Sequence, residues 1–475
     1  MRVLLFGTGA YYEQYKLFFS HVTVVALLDN DEKKQGTRID GIPVLPPQAA
    51  LRETYDGIYL LSIYAAEMRR QLENIGVPPE KIFDRDEIYD TLAEHLPARQ
   101  VIEVLPEGSA PFFLQDKVLG VLAQDMEFNG ATIALCQAVN ILQKDYSHVV
   151  VISMQDGPMR EKFLRAGVPV FVDPWLRIVS LDEIPWIKKC RMLLVNTNLF
   201  YGIFRRGSGR VPILWWLHDP EMLYQGKFCE KVDGFYSDNI KVYAVGTLAA
   251  EAFQRRCPHW PVRGLLCFGM EDFGRERKER HSAKVVFAVV GSICYIKGQD
   301  IFVEAIQLLS TNLRQQCEFW LVGAREESAF ALAVADKAAT MSEVKFLGLL
   351  KRAEIEGLYS QIDVLICPSR EESMSAVSIE AMMNFCPSIV SDHAGVVAFI
   401  RNGDNGLVFP SGDAAALAEK MKWAAEHPKE RQTMGEKARV IYEENFSLSA
   451  FEKNLCIAVD EVLGQSDETC HVERR

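Results

Sequence analysis

Short apolar runs, each closed by a turn and followed by apolar residues at helical spacing, recur along this chain. A run of four to eight apolar residues bounded by turn residues has the length of a buried strand. Apolar residues at i, i+3 and i+4 mark one face of a helix. Strands that alternate with helices pack as parallel sheets, because a crossover is needed to bring the chain back in the same direction. The chain is therefore read as α/β. In such sheets, ligands sit beyond the carboxyl ends of the strands.

The sharpest of these units is 364–385, VLICPSREESMSAVSIEAMMNF. Residues 364–367 read as a strand, Pro368 and Ser369 break it, and Ala376, Ile379, Met382 and Met383 resume at helical spacing. The amides of Ser373, Met374, Ser375 and Ala376 then lie at a helix N-terminus, where the first N–H groups have no internal partner. Such a terminus favours an anion, phosphate above all. Glu372 stands in the loop and Glu380 about one turn into the helix. A carboxylate on each side of a phosphate cradle suits a ligand with hydroxyls on both sides of its phosphates. A nucleotide sugar is such a ligand.

PSREESMSAVSIEAM resembles the Glu-x7-Glu signature of retaining glycosyltransferases of family 4. The spacing from Glu372 to Glu380 matches, and so does the Ala-Met that follows. Met374 and Ser375 stand where many members have Phe-Gly. The resemblance implies the GT-B fold, two Rossmann-like domains facing across a cleft. Here they are preceded by a small Rossmann-like α/β domain.

Length and composition are consistent with this. At roughly 100–200 residues per domain, 475 residues make about three domains. A net charge of −12 argues against nucleic acid as a partner. Eleven cysteines without a Cys-x-x-Cys pair fit a reducing cytosol better than a disulfide framework. The start, MRVLLFGTGA, does not read as a signal peptide, since its apolar run is short and enters a glycine turn. No run approaches the ~20 apolar residues of a membrane span. The expected location is cytoplasmic, with at most peripheral contact at the inner face of the membrane.

Residues 1–95 read as an accessory domain with strands at 3–6, 24–28 and 58–62. Gly7 and Gly9 form a turn beneath a helix, and Asp29 lies where a ribose-binding acid would. Tyr12 occupies the place of a third glycine. The phrase LLDNDEKKQGTRIDGIPVL resembles partial Rossmann-like domains of sugar-modifying proteins. A nucleotide site and a fold without one stay open, and the domain is read as a separable regulatory or scaffolding module. Residues 96–112, with three prolines and Gly108-Ser109, read as a linker.

Residues 113–273 read as the acceptor domain, with strands at 118–122, 149–153, 168–172, 192–195, 213–217 and 241–245. Asn129 and Gly130 open a helix and fall, with His218, at the mouth of one cleft. His218 resembles the active-site histidine of the family's first domain; a histidine that only caps the strand end is the alternative. Basic clusters at Lys188, Lys189 and Arg191, at Arg205, Arg206 and Arg210, and at Arg255 and Arg256 imply, through the resemblance, contact with a membrane surface. Charged 274–284 reads as the hinge.

Residues 285–463 read as the nucleotide-sugar domain, with strands at 285–290, 319–322, 344–346, 364–367 and 388–391. GSICYIKGQD resembles the family's pyrophosphate loop. Gly291 and Gly298 permit the turn, and Lys297 places a point charge for a diphosphate. Ser292 stands where many members have Arg, and Ala398 where they often have Glu. The resemblance carries a contact with the nucleotide base onto Leu350. A helix at 414–425 and the segment 448–463 close the fold, the last helix crossing back onto the first domain. The tail 464–475 reads as flexible.

The resemblance thus implies transfer of a sugar from a nucleoside-diphosphate sugar to a glycan, lipid-linked or protein acceptor, in surface polysaccharide, glycan or glycolipid synthesis. Lys297 and the amides near Ser375 stabilise the leaving diphosphate. Glu380 holds the ribose and Glu372 the sugar. No metal or other cofactor is implied. A catalytically silent sugar-nucleotide-binding regulator is the rival, favoured by the extra amino-terminal module, Ser292 and Ala398. A phosphorylase of the same fold would need a pyridoxal lysine, and no lysine is singled out for it.

Overall fold

The computed structural model describes residues 1–62, 64–107, 118–146, 148–176, 178–184, 186–205, 207, 211–221, 224, 232, 234–274, 284–325 and 328–464. Most of the expected hinge, the end of the expected linker, Arg206, Arg210 and the tail from 465 lie outside the described residues. The chain divides into two compact units. One comprises 1–128, 145–212 and 222–239, the other 129–144, 213–221 and 240–475.

In the first unit, β1 (Arg2–Phe6), β2 (Thr23–Leu28), β3 (Arg38–Ile39), β4 (Ile42–Leu45), β5 (Gly57–Leu60) and β6 (Ile82–Asp84) form a sheet in the order β3-β4-β2-β1-β5-β6. All pairs are parallel except β3 with β4. The middle strands are almost wholly apolar and buried on both faces, as parallel strands between helices must be. Gly7 follows β1 with φ of +110°, and a Cβ there would lie 2.5 Å from the Leu61 carbonyl oxygen, so the turn requires glycine.

One face of this sheet buries Tyr12, Tyr15, Phe18 and Phe19 in a cluster completed by Trp175, Ile178 and Val179. Phe18 meets Trp175 edge-on, with ring centroids 5.0 Å apart. The Tyr89 hydroxyl donates to Glu183 at 2.6 Å. The amino-terminal stretch therefore shares its core with later chain, and its aromatic face is not built to stand alone.

The same unit holds β7 (Ile102–Val104), β8 (Val118–Ala123), β9 (His148–Ser153), β10 (Val170–Val172) and β11 (Cys190–Val195), in the order β11-β8-β9-β10-β7. β7 lies within the stretch read as a linker. It pairs antiparallel with β10, and Arg99 beside it forms an ion pair with the buried Asp173.

The second unit contains β12 (Ile213–Leu217), β13 (Ile240–Ala244) and β14 (Val262–Leu265), paired in parallel in that order. It also contains β15 (Val285–Val290), β16 (Cys317–Val322), β17 (Val344–Gly348), β18 (Val364–Cys367), β19 (Ser388–Ser391) and β20 (Leu407–Phe409). These form a wholly parallel sheet in the order β17-β16-β15-β18-β19-β20. The chain runs outward from β15 to β17, then restarts at β18 on the other flank of β15. The strand order therefore reverses between β15 and β18.

The final helix, Leu448–Leu463, packs within this unit against β12 and β13. Phe451 stacks on Trp216 at 5.6 Å, and Arg263 pairs with Glu461 at 2.5 Å. A further helix, Pro428–Asn445, was not expected, because its buried Met434, Ala438 and Tyr442 are set in an otherwise charged stretch. No helix among the described residues is long and apolar enough to cross a membrane.

Candidate functional site

The reversal point of an open parallel sheet leaves a crevice beyond the strand ends, because consecutive connections leave it on opposite sides. The loops after β15 and β18 flank that point. Gly298 in the first loop has a left-handed φ of +70°, and a Cβ there would lie 2.1 Å from the Pro368 carbonyl oxygen in the second. Glycine is what lets the two loops touch. Buried Gln299 holds the first loop in shape: its amide nitrogen donates to Ser292 O at 2.9 Å, and its oxygen accepts from Cys294 N at 3.3 Å.

Lys297 Nζ donates to Glu372 Oε1 at 2.7 Å. The Ser369 hydroxyl donates to Glu372 Oε2 at 2.7 Å, and the Cys367 thiol lies 3.5 Å from the same oxygen. Burial, and then Glu372, push the Cys367 thiol up to about 11, so it keeps its proton and acts as a donor. Burial alone would lower the Lys297 ammonium, but Glu372 outweighs it and holds it above the usual lysine range. Glu372 is fixed through its backbone too. Its N–H donates to His393 O at 3.1 Å, and its carbonyl accepts from Gly395 N at 2.7 Å.

The helix Ala376–Met383 begins where expected, capped by Ser375, whose hydroxyl accepts from Ser378 N at 3.3 Å. Ser373 and Met374 are gripped from two sides. A Cβ at Gly395 would lie 1.8 Å, and one at Gly246 2.9 Å, from the Ser373 carbonyl oxygen. Glu380 is buried at 5% exposure. Its Oε1 pairs with Arg352, and its Oε2 accepts from the Tyr359 hydroxyl at 2.7 Å. Burial first, and then Glu380, hold that hydroxyl well above the usual tyrosine range. The Arg352 guanidinium lies 4.7 Å over the Phe273 ring. An ionised carboxylate offers about four acceptor sites, so Glu380 keeps acceptor capacity beyond these two bonds.

His218 follows β12 and packs edge-on against Trp216 at 4.3 Å. Its Nε2 is buried with no hydrogen-bond partner among the described residues. Burial lowers its pKa to about 3, so the ring is neutral. Asn129 caps the helix Gly130–Leu142 by accepting from Thr132 N at 2.9 Å, and Gly130 is exposed in open space. Leu350 packs against the core cluster of Trp320 and Tyr359, which gives it a packing role.

In the first unit, Gly9 caps a helix of six residues. Asp29 accepts from the Thr8 hydroxyl and, at 2.9 Å, from Asp31 N, with Lys34 at 3.5 Å. Burial would raise its carboxyl, but these donors hold it below the usual range. Tyr12, in place of a third glycine, is buried and donates to Asp40 at 3.1 Å. Asp29 is thus engaged by Thr8, which stands between Gly7 and Gly9, and by Asp31 and Lys34. Among the described residues no group of three His, Cys, Asp or Glu side chains could hold a metal ion.

Sequence reasoning missed Arg352, Tyr359 and Arg370. Isolated arginines carry no spacing signal. Tyr359 had one, because it closes the helical stretch just before the run 362–367.

Residues 271–440 match the family model described as "Glycosyl transferases group 1", and residues 1–83 match "C2185-like, N-terminal". The alpha-D-kanosaminyltransferase of Streptomyces kanamyceticus is 25% identical over 177 residues, 37% of this chain and 46% of that protein. The D-rhamnosyltransferase WbpZ of Pseudomonas aeruginosa is 29% identical over 164 residues, 34% of this chain and 41% of that protein. The match thus spans less than half the length of these curated relatives. A crystal structure of Anabaena HepE in complex with UDP superposes with a TM-score of 0.63 at 19% identity, covering 73% of this chain and 100% of that one. The chain has the α/β GT-B fold, and its residues 271–440 match the group 1 glycosyl transferase family model.

Proposed function

We propose that the protein is a retaining glycosyltransferase that moves a sugar from a nucleoside-diphosphate sugar to a hydroxyl acceptor in polysaccharide, glycan or glycolipid synthesis. The observation that carries this is the meeting of Lys297 and Glu372 from the two loops that flank the strand-order reversal. The complexes of HepE with UDP and with UDP-glucose support a nucleotide-sugar donor.

In this reading the donor diphosphate lies against Lys297, the loop from Gly291 to Ser292 and the amides after Ser373, Met374 and Ser375. As the bond from the anomeric carbon to phosphate oxygen breaks, negative charge grows on the diphosphate, where fixed donors are worth ~10²–10³ in rate each. A bond from the acceptor oxygen to that carbon forms on the same face, and the acceptor proton passes to the leaving phosphate. Glu372, already hydrogen-bonded on both oxygens, orients the sugar hydroxyls. Glu380 takes the ribose hydroxyls with its remaining acceptor capacity. Neutral His218 offers Nε2 to a hydroxyl of the bound sugars, and Asn129 and Gly130 border the acceptor. Lys297 supplies positive charge beside the diphosphate, so no metal is required. Peripheral membrane contact through Lys188, Lys189, Arg191, Arg255 and Arg256 fits a lipid-linked acceptor.

The test is incubation with a panel of nucleoside-diphosphate sugars, with nucleoside diphosphate release as the readout. Slow release without acceptor and an unchanged anomeric configuration in the product support the reading. Turnover abolished by EDTA and restored by manganese would contradict its metal-free part. Tight donor binding with no release would favour the silent regulator. That rival is supported by the pairing of Arg352 with Glu380, which engages this carboxylate within the protein.

A further inference from the structure

Arg370 bonds to the opposite loop through both its backbone and its side chain. Its backbone N–H donates to Ile296 O at 2.7 Å. Its Nη1 donates to Tyr295 O at 2.7 Å and to Asp300 Oδ1 at 2.9 Å, and its Nη2 donates to Asp300 Oδ2 at 2.7 Å. The guanidinium also lies 4.1 Å over the Tyr295 ring, and Arg370 O sits 3.1 Å from His393 Nδ1. Tyr295 and Ile296 immediately precede Lys297, and Glu372 comes two residues after Arg370.

We propose that Arg370, through its fork onto Asp300 and the Tyr295 carbonyl, is the positioning residue that sets the distance between Lys297 and Glu372. The proposal rests on the reading of these two as the diphosphate and sugar contacts of a nucleotide-sugar site. Arg370 is not a catalytic residue, since its donors are directed at the neighbouring loop. Its geometry is specific to arginine. A planar fork meets the Asp300 carboxylate with two parallel bonds while stacking on an aromatic face, and a lysine ammonium can do neither. Side-chain exposures of 23% for Arg370 and 28% for Asp300 leave the pair partly shielded, so it is more than a solvated surface contact. Loosening it leaves the β15 and β18 loops joined by the Arg370 N–H to Ile296 O bond and the Gly298–Pro368 contact, without the side-chain fork that fixes their spacing. A misplacement of about 1 Å in such a site costs on the order of 10²-fold in rate.

The experiment uses the full-length protein with Arg370→Lys, Asp300→Asn and Lys297→Ala, singly and combined. Circular dichroism and melting temperature confirm that each variant folds. Two readouts are taken. The first needs no substrate: NMR titration of the 13C-dimethylated Lys297 amine, which Glu372 holds above the ordinary lysine range. Arg370→Lys and Asp300→Asn are expected to move that titration down toward the ordinary value. The second is kcat and KM for the donor. Arg370→Lys is expected to lower kcat by about 10²-fold, with a smaller change in KM, and to add little when Lys297 is already alanine. An unchanged Lys297 titration in folded variants, or losses that multiply with those of Lys297→Ala, overturns the proposal. If the wild-type protein binds no nucleoside diphosphate while the titration still responds, the glycosyltransferase reading fails and the positioning role of Arg370 stands.

Discussion

Lys297 and Glu372, 75 residues apart in the chain, meet at 2.7 Å where the strand order of the second unit's sheet reverses. The ammonium is thereby held in place by the carboxylate, at the position proposed for the donor diphosphate. Lys297→Ala is expected to weaken donor binding and turnover together, because the charge acts on the diphosphate in the ground and transition states alike. Calorimetry with a nucleoside diphosphate, beside the transfer rate, checks this. Loss of turnover with unchanged affinity would place the diphosphate elsewhere.

Gly298→Ala tests the contact between the loops. The substitution forces a left-handed φ on alanine, at a cost of about 1–2 kcal/mol, and drives a Cβ toward the Pro368 carbonyl oxygen. The expected outcome is a lower melting temperature and a displaced Lys297, seen as weakened donor binding. Gly403→Ala, at φ of +87° with nothing within 4 Å of the added Cβ, controls for backbone strain alone. Equal losses in the two variants would mean that the contact with Pro368 is unimportant.

His218 gives a pH signature. Its folded-state pKa of about 3 lies below the ordinary value near 6.5, so the unfolded chain binds this proton first as pH falls. Stability tied to the neutral ring is therefore complete above about pH 6.5 and is lost progressively toward pH 3. Between pH 7 and pH 5 this group should remove up to about 2 kcal/mol. Urea unfolding at the two pH values is expected to show a smaller drop for His218→Asn than for wild type. Identical drops would mean that the ring is not buried as a neutral base.

Trp175→Ala tests how the amino-terminal stretch is attached. Trp175 is almost fully buried against Phe18. Its removal is expected to cost about 3–5 kcal/mol, and unfolding should expose residues 1–95 to proteolysis. A truncation beginning near Pro111 would bare the same apolar patch and is expected to aggregate. A soluble truncated chain with wild-type stability would contradict the shared core.

The site's frame was legible where local pattern and tertiary role coincide. The run 364–367 became β18, the helix began at Ala376, and Gly291 and Gly298 took the positive φ values that their loop needs. What was not legible depends on partners distant in sequence. The protein partners of Glu380 were not foreseen, since Arg352 and Tyr359 lie 28 and 21 residues before it and only the fold brings them together. Leu350, to which the resemblance carries a base contact, is partly buried and also packs on the core cluster. β7 was hidden among prolines because an edge strand of three residues needs a partner, here β10, to exist at all.

The most direct test of the central claim separates the two carboxylates. Nucleoside diphosphate affinity is measured by calorimetry, and sugar transfer by rate, for Glu372→Gln and Glu380→Ala. Glu380→Ala is expected to weaken nucleotide binding by about 1.5–3 kcal/mol, since it removes the acceptor proposed for the ribose hydroxyls. Glu372→Gln is expected to leave nucleotide binding nearly intact and to lose turnover, since in the proposed mechanism Glu372 positions the reacting sugar. If Glu372→Gln instead abolishes binding of the bare nucleoside diphosphate while Glu380→Ala leaves it untouched, the account of this site is wrong.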